Sequence, residues 1–200
     1  AAFGAWAVAR NVGNAIVVGR DSRVSGPMFH RCVLSALQSV GARVIDLGHP
    51  LRDSDPSWDG KRAFEREGTP LNGRFESQEH FGTHLDAPSH FGGAWTTDQI
   101  PVDRLVRPGV AINVTGKPED YRISVADVKA WESRHGAIPE GAVVFFATGW
   151  DARWPDRKAY INERRGVKHF PGLSTELGHY LVERGVAGIG IDTASIDYGP

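Results

Sequence analysis

Three of the chain's eight histidines fall within eleven residues, in the run His80-Phe81-Gly82-Thr83-His84-Leu85-Asp86-Ala87-Pro88-Ser89-His90-Phe91. Imidazoles and a carboxylate at this density suit Zn²⁺ or Mn²⁺, and the lack of nearby Cys argues against a closed structural zinc site. With His80, His84 and Asp86 as ligands, at least one coordination position would stay open for water, whose pKa the ion would lower toward ~7. His90, beyond the Pro88 bend, reads either as a further ligand or as a general acid/base, since an ordinary imidazole titrates near ~6.5. The offsets from His80 are +4, +6 and +10. On an extended segment these even offsets gather the polar side chains on one face and send Phe81, Leu85 and Phe91 to the other. The spacing therefore predicts a strand. Gly82 and Pro88 read as turn residues, and Gly82 would also admit close approach of an ion or substrate.

The elements that must position this run are those of a mixed, strand-rich α/β domain. Ile16–Val18 and Arg43–Leu47 read as strands around an amphipathic helix from Met28 to Val40, closed by Gly41, which together make a βαβ-like unit. Residues 49–78 are rich in Pro, Gly, Asp and Arg and are expected to be long loops with at most short strands. Pro108-Gly109 turns into a buried strand at Val110–Val114. Ser124 caps a helix over 125–135 with Val125, Val128 and Trp131 on one face. Val143–Ala147 is a core strand, Ser174 caps a helix running to Arg184, and Val186–Ile191 is a final apolar strand.

Composition bounds the function. Two hundred residues can bury roughly 70% of their unfolded surface without disulfide or metal support. Lys and Arg number 23 against 24 Asp and Glu, a formal net charge of −1, so neither nucleic acid nor an anionic membrane is an expected partner. No apolar run approaches the ~20 residues of a membrane span. The first residues lack the basic start of a signal peptide, and the lone Cys32, on the apolar face of its helix, fits a reducing, cytoplasmic setting.

The run His80-x-Gly82-Thr83-His84-x-Asp86-x-Pro88-x-His90 resembles the signature of the cyclase family of metal-dependent hydrolases, which includes kynurenine formamidases and isatin hydrolases. Val44–Leu51, Pro56-x-Trp58, Thr148-Gly149-Trp150, Phe170–Leu173 and Gly190–Asp197 resemble further family segments in the same order. The resemblance covers residues ~44–200 and implies a cyclase-like β/β/α hydrolase domain over 44–200. The activity it implies is opening of a formamide, lactam or related acyl bond on an aromatic substrate, with one Mn²⁺ or a pair of Zn²⁺ ions. It implies His80, His84 and Asp86 as ligands, His90 as the proton-transfer residue, and a dimeric or tetrameric assembly. In members with two ions, a further His and Glu follow the Gly-Ile-Asp-Thr segment, and the sequence stops at Pro200 ahead of them. The contrasting expectation is thus a catalytically incomplete metal-binding or interaction protein. His169 could stand in only if the fold brings it to the other ligands.

Residues 1–43 form a separate N-terminal appendage. Val17-Val18-Gly19-Arg20-Asp21-Ser22-Arg23-Val24-Ser25-Gly26-Pro27, the helix after it and Val44–Gly48 resemble the start of a phosphohexomutase. The Ser-His-Asn-Pro type segment that carries that family's phosphoserine is missing, so no mutase activity is expected. Trp58, Thr148 and Trp150 are candidate substrate contacts, because aromatic walls suit ring-bearing acyl substrates. Core packing accounts for them, and for Trp154, equally well. Asp192 and Asp197 either orient ligating histidines or cap turns.

Overall fold

A computed structural model of the chain describes residues 15–17, 35, 37–39, 43–45, 48–69 and 72–199. The chain divides into two compact units, one of Ala1–Asp53 with Phe64–Asp86, the other of Ser54–Ala63 with Ala87–Pro200.

In the first unit β1 (Ala15–Val17) and β2 (Arg43–Ile45) pair in parallel, Ile16 opposite Val44. Ser35, Leu37 and Gln38 are helical, and Leu37 is buried; the rest of the expected 28–40 helix, Cys32 included, lies outside the described residues. The expected short strands of 49–78 are an antiparallel hairpin, β3 (Phe64–Gly68) against β4 (Gly73–Ser77). Its apolar anchor is aromatic: buried Phe64 stacks on buried Phe81 with ring centroids 6.2 Å apart, and tilts against Phe75 at 6.1 Å. Phe81 thereby ties the histidine run to the hairpin.

The second unit is built on a parallel three-stranded sheet. Gly109–Asn113 (β5) and the later strands β7 (Val143–Ala147) and β11 (Gly188–Ile191) lie in the order β11-β7-β5. Between β5 and β7 come β6 (Arg122–Ile123) and helix α1 (Val125–His135). After β7 follow α2 (Arg157–Ile161), the β8–β9 pair (Glu163–Arg164, Val167–Lys168), β10 (Gly172–Leu173) and α3 (Thr175–Glu183). The sheet and helix faces bury Ile112, Val128, Val144, Phe146, Leu177 and Leu181 in one core, as the apolar periodicity predicts. Asp127 accepts from the Ser124 backbone N–H at 2.9 Å and hydroxyl at 2.7 Å at the start of α1. Ser174 accepts from the Leu177 N–H at 3.2 Å at the start of α3. A smaller cluster of Trp150, Trp154, Tyr160, Ile161 and Phe170 lies beyond the end of β7.

Candidate metal centre

The histidine run is not a strand. Residues 80–87 form bends and irregular backbone, and Pro88–Phe91 is a single 3-10 turn closed by Gly92 at φ 80°. Two residues break the extension: Gly82 sits at φ +65°, and Pro88 opens the turn. The predicted apolar face fails with it, since Phe81 is buried whereas Leu85 and Phe91 are 53% and 69% exposed.

The bend nonetheless brings three of the predicted donors together. His80 Nδ1 lies 2.7 Å from Asp86 Oδ1, His84 Nε2 lies 3.3 Å from the same oxygen, and the two ring nitrogens are 3.4 Å apart. Among the described residues this is the one grouping of three or more His, Cys, Asp or Glu side chains close enough to share an ion. Donor atoms held at 2.0–2.2 Å around a tetrahedral ion sit roughly 3.2–3.6 Å apart, so two edges fit as they stand and the 2.7 Å edge is the tight one. Asp86 Oδ1 is buried and makes no aligned hydrogen bond. A buried carboxylate oxygen facing two imidazole nitrogens without a hydrogen bond is satisfied by a cation between them. The donor set is imidazole and carboxylate, which suits Zn²⁺ and Mn²⁺ alike.

Local backbone orients the donors. His84 Nδ1 donates to the Gly82 carbonyl at 2.9 Å, which leaves Nε2 to face Asp86 and His80. The His49 backbone N–H donates to Thr83 Oγ1 at 3.2 Å, and a Cβ on Gly82 would fall on the Leu51 side chain. Gly82 is legible in the sequence as a turn residue, but the contacts of the Gly82 carbonyl, Thr83 hydroxyl and Leu51 are not. Their only sequence signal was their place inside and before the run.

The remaining candidates belong to the second unit. His90 is exposed on the 3-10 turn, its ring edge-on to Phe91 at 4.9 Å. Trp58 is half exposed, packing edge-on against Phe170 at 6.4 Å with Lys168 Nζ 4.1 Å above its ring. Arg157 holds the segment that carries Trp58 by donating to the Asp55 and Gly60 carbonyls. Thr148 and Trp150 are buried, and their polar atoms are used internally. The Thr148 hydroxyl donates to Asp192 Oδ1 at 2.7 Å, and the Trp150 indole donates to the Tyr160 carbonyl at 2.8 Å. Asp192 also accepts the backbone N–H groups of Thr148, Gly149 and Trp150, so it caps the turn after β7. Burial, with the Asp192 and Asp151 charges, pushes the Tyr160 phenol upward, and its hydroxyl donates to the Asp192 carbonyl. His169 Nδ1 pairs with Asp120 Oδ2 at 2.8 Å. Asp120 itself has φ 64°.

An open imidazole–carboxylate triangle is how one class of hydrolases holds a divalent ion. The chain belongs to the cyclase family: residues 45–198 match its family model, described as "Putative cyclase". The family is metal-dependent. Residues 1–53 match the model of phosphoglucomutase/phosphomannomutase alpha/beta/alpha domain I. Isatin hydrolase of Roseibium aggregatum is 33% identical over 129 residues, which is 60% of this chain and 49% of that protein. The chain thus spans about half of that relative. Kynurenine formamidase of Bacillus thuringiensis is 27% identical over 171 residues, covering 76% of this chain and 69% of the relative. The solved structure of isatin hydrolase A from Ralstonia solanacearum superposes with a TM-score of 0.71 at 32% identity, covering 85% of this chain and 74% of that one. The fold is therefore cyclase-like. Among the described residues no helix is long and apolar enough to cross a membrane.

Proposed function

We propose that the chain is a metal-dependent hydrolase that opens the C–N bond of a small aromatic lactam or formamide. The observation that carries this reading is the triangle of His80, His84 and Asp86 with its hydrogen-bond-free buried oxygen. Its support is the likeness to proteins named isatin hydrolase and kynurenine formamidase. His80, His84 and Asp86 would hold one Zn²⁺ or Mn²⁺, or share in a pair. Such an ion supplies Lewis acidity, lowering the pKa of a water toward ~7 and polarising an acyl oxygen. Hydrolysis consumes one water: its oxygen joins the acyl carbon, the C–N bond breaks, and a proton ends on the departing nitrogen. His90 is the side chain we assign to carry that proton, on its place in the motif that resembles the cyclase signature. Trp58 offers an exposed ring surface to an aromatic substrate, while Thr148 and Trp150 shape the turn beyond β7. In the same reading residues 1–43 are a βαβ appendage of phosphohexomutase type without mutase activity, the assembly is a dimer or tetramer, and the setting is cytoplasmic.

The test is metal content followed by turnover. Chain purified without chelator or metal resin is expected to carry one or two Zn or Mn per chain and to hydrolyse isatin or an N-formyl aromatic amine. His84→Ala and Asp86→Ala should each lower the rate by at least two decades while the circular dichroism stays unchanged. Activity that survives both substitutions overturns the site. Metal bound without turnover of either substrate class turns the reading to a metal-binding protein.

A further inference from the structure

A ligating histidine binds through one ring nitrogen, and the partner of the other nitrogen decides which one. At His84 that partner is a backbone carbonyl two residues back in the same bend, the Gly82 oxygen at 2.9 Å from Nδ1. A carbonyl only accepts, so Nδ1 carries the proton and Nε2 presents its lone pair toward Asp86 and His80. Gly82 itself sits at φ +65°, a conformation costly for other residues. Two contacts from the 49–51 segment hold the bend: the His49 N–H on Thr83 Oγ1 at 3.2 Å, and Leu51 lying where a Gly82 Cβ would stand. None of these atoms is itself a donor to the ion. The His84 side chain is 34% exposed, so packing alone does not fix its ring.

We infer that the Gly82-Thr83 bend, clamped by His49 and Leu51, is a positioning device that commits His84 to its Nε2 donor before any ion arrives. The inference rests on the metal reading above and deepens it. Gly82, Thr83 and Leu51 are positioning residues, and they act through the tautomer and orientation of His84. Loss of such an outer partner typically costs 10–100-fold in metal affinity.

Two measurements test it, neither of which needs turnover. Nitrogen-15 NMR of the metal-free chain, with the histidines labelled, should show His84 as the Nδ1-protonated tautomer; an Nε2-protonated or mixed ring overturns the proposal without any variant being made. Zn²⁺ affinity is then read by competition with a chromophoric chelator. Thr83→Val is expected to weaken binding by about 10-fold and Gly82→Ala by 10–100-fold, while Thr83→Ser, which keeps the accepting hydroxyl, stays within about 3-fold of the parent. Equal affinity in all three variants overturns the positioning role and leaves the metal site standing. A parent chain that binds no Zn²⁺ overturns the metal reading itself, and the positioning role with it.

Discussion

At the scale of single residues, Asp86 shows the difference between a group kept for the fold and one kept for a ligand. Its Oδ1 is buried beside two imidazoles yet gains no aligned hydrogen bond from either, so in the metal-free chain it contributes little to stability. Asp86→Asn, of the same size but uncharged, should therefore leave the metal-free unfolding free energy within about 1 kcal/mol of the parent. It should weaken Zn²⁺ binding at least about 100-fold, since an anionic oxygen donor is lost. Urea unfolding and chelator competition on the same preparations check the two halves. A variant destabilised by several kcal/mol would mark Asp86 as a structural residue. The donor identities were legible in the sequence because residue type and density alone select metal chemistry. Their geometry was not: even offsets describe a strand, whereas φ +65° at Gly82 and the ring Pro88 brings turned the segment into a bend. Convergence of His80, His84 and Asp86 survived because four- and six-residue separations close on themselves in a bend as readily as they align on a strand.

At the scale of elements, the apolar runs of β5, β7 and β11 are legible in the sequence because burial in a parallel sheet demands continuous β-branched and aromatic runs, α1 is legible from its apolar face and α3 from its Ser174 cap. The polar ties between those elements were invisible there, since their partners are tens of residues apart. Asp192 after β11 gathers the Thr148–Trp150 turn after β7 by accepting from its hydroxyl and backbone N–H groups. Glu132 on α1 accepts from Tyr180 on α3 at 2.7 Å, pairs with Arg184 just beyond it, and accepts the Ile138 N–H at 3.0 Å. Burial alone would raise the Glu132 carboxyl, but the Ile138 N–H, Tyr180 hydroxyl and Arg184 charge outweigh it and hold the pKa at about 2. The folded value lies below the unfolded one, near ~4.3, so the group's contribution is complete above that pH and is lost as pH falls toward about 2. The shift corresponds to roughly 3 kcal/mol, which solvent around the Arg184 partner reduces to on the order of 1–2 kcal/mol. Glu132→Gln should thus be less stable than the parent by that amount at pH 6. The gap should narrow below about pH 4.5 and be more than half closed near pH 3, as urea midpoints at the two pH values will show. A gap that is constant with pH would mean the carboxylate's charge is irrelevant to the α1–α3 tie.

At the scale of the whole molecule, the chain has two cores of different character. The unit with the donor triangle is anchored by the Phe64–Phe81–Phe75 aromatics and a two-stranded hairpin, whereas the other holds the three-stranded sheet with α1 and α3 around a larger apolar core. The sequence resemblances divide the chain near residue 44. The compact units divide it elsewhere, because the hairpin and residues 80–86 gather with the N-terminal strands while 54–63 gathers with the sheet. Sequence families follow descent, and compactness follows which apolar faces close on each other, so the two partitions need not coincide. An ion that binds only the folded form stabilises the cooperative unit that must open to release it, by about 2.7 kcal/mol at 100 times its Kd. If the triangle-bearing unit opens by itself, Zn²⁺ at that excess should slow amide exchange about 100-fold in residues 48–51 and 81–86, along with β3 and β4. Amides of β5, β7 and β11 should exchange at unchanged rates. Equal slowing across that sheet would show that the chain opens as one cooperative body, and the stability of the metal centre would then be set by the large core rather than by the aromatic anchor beneath it.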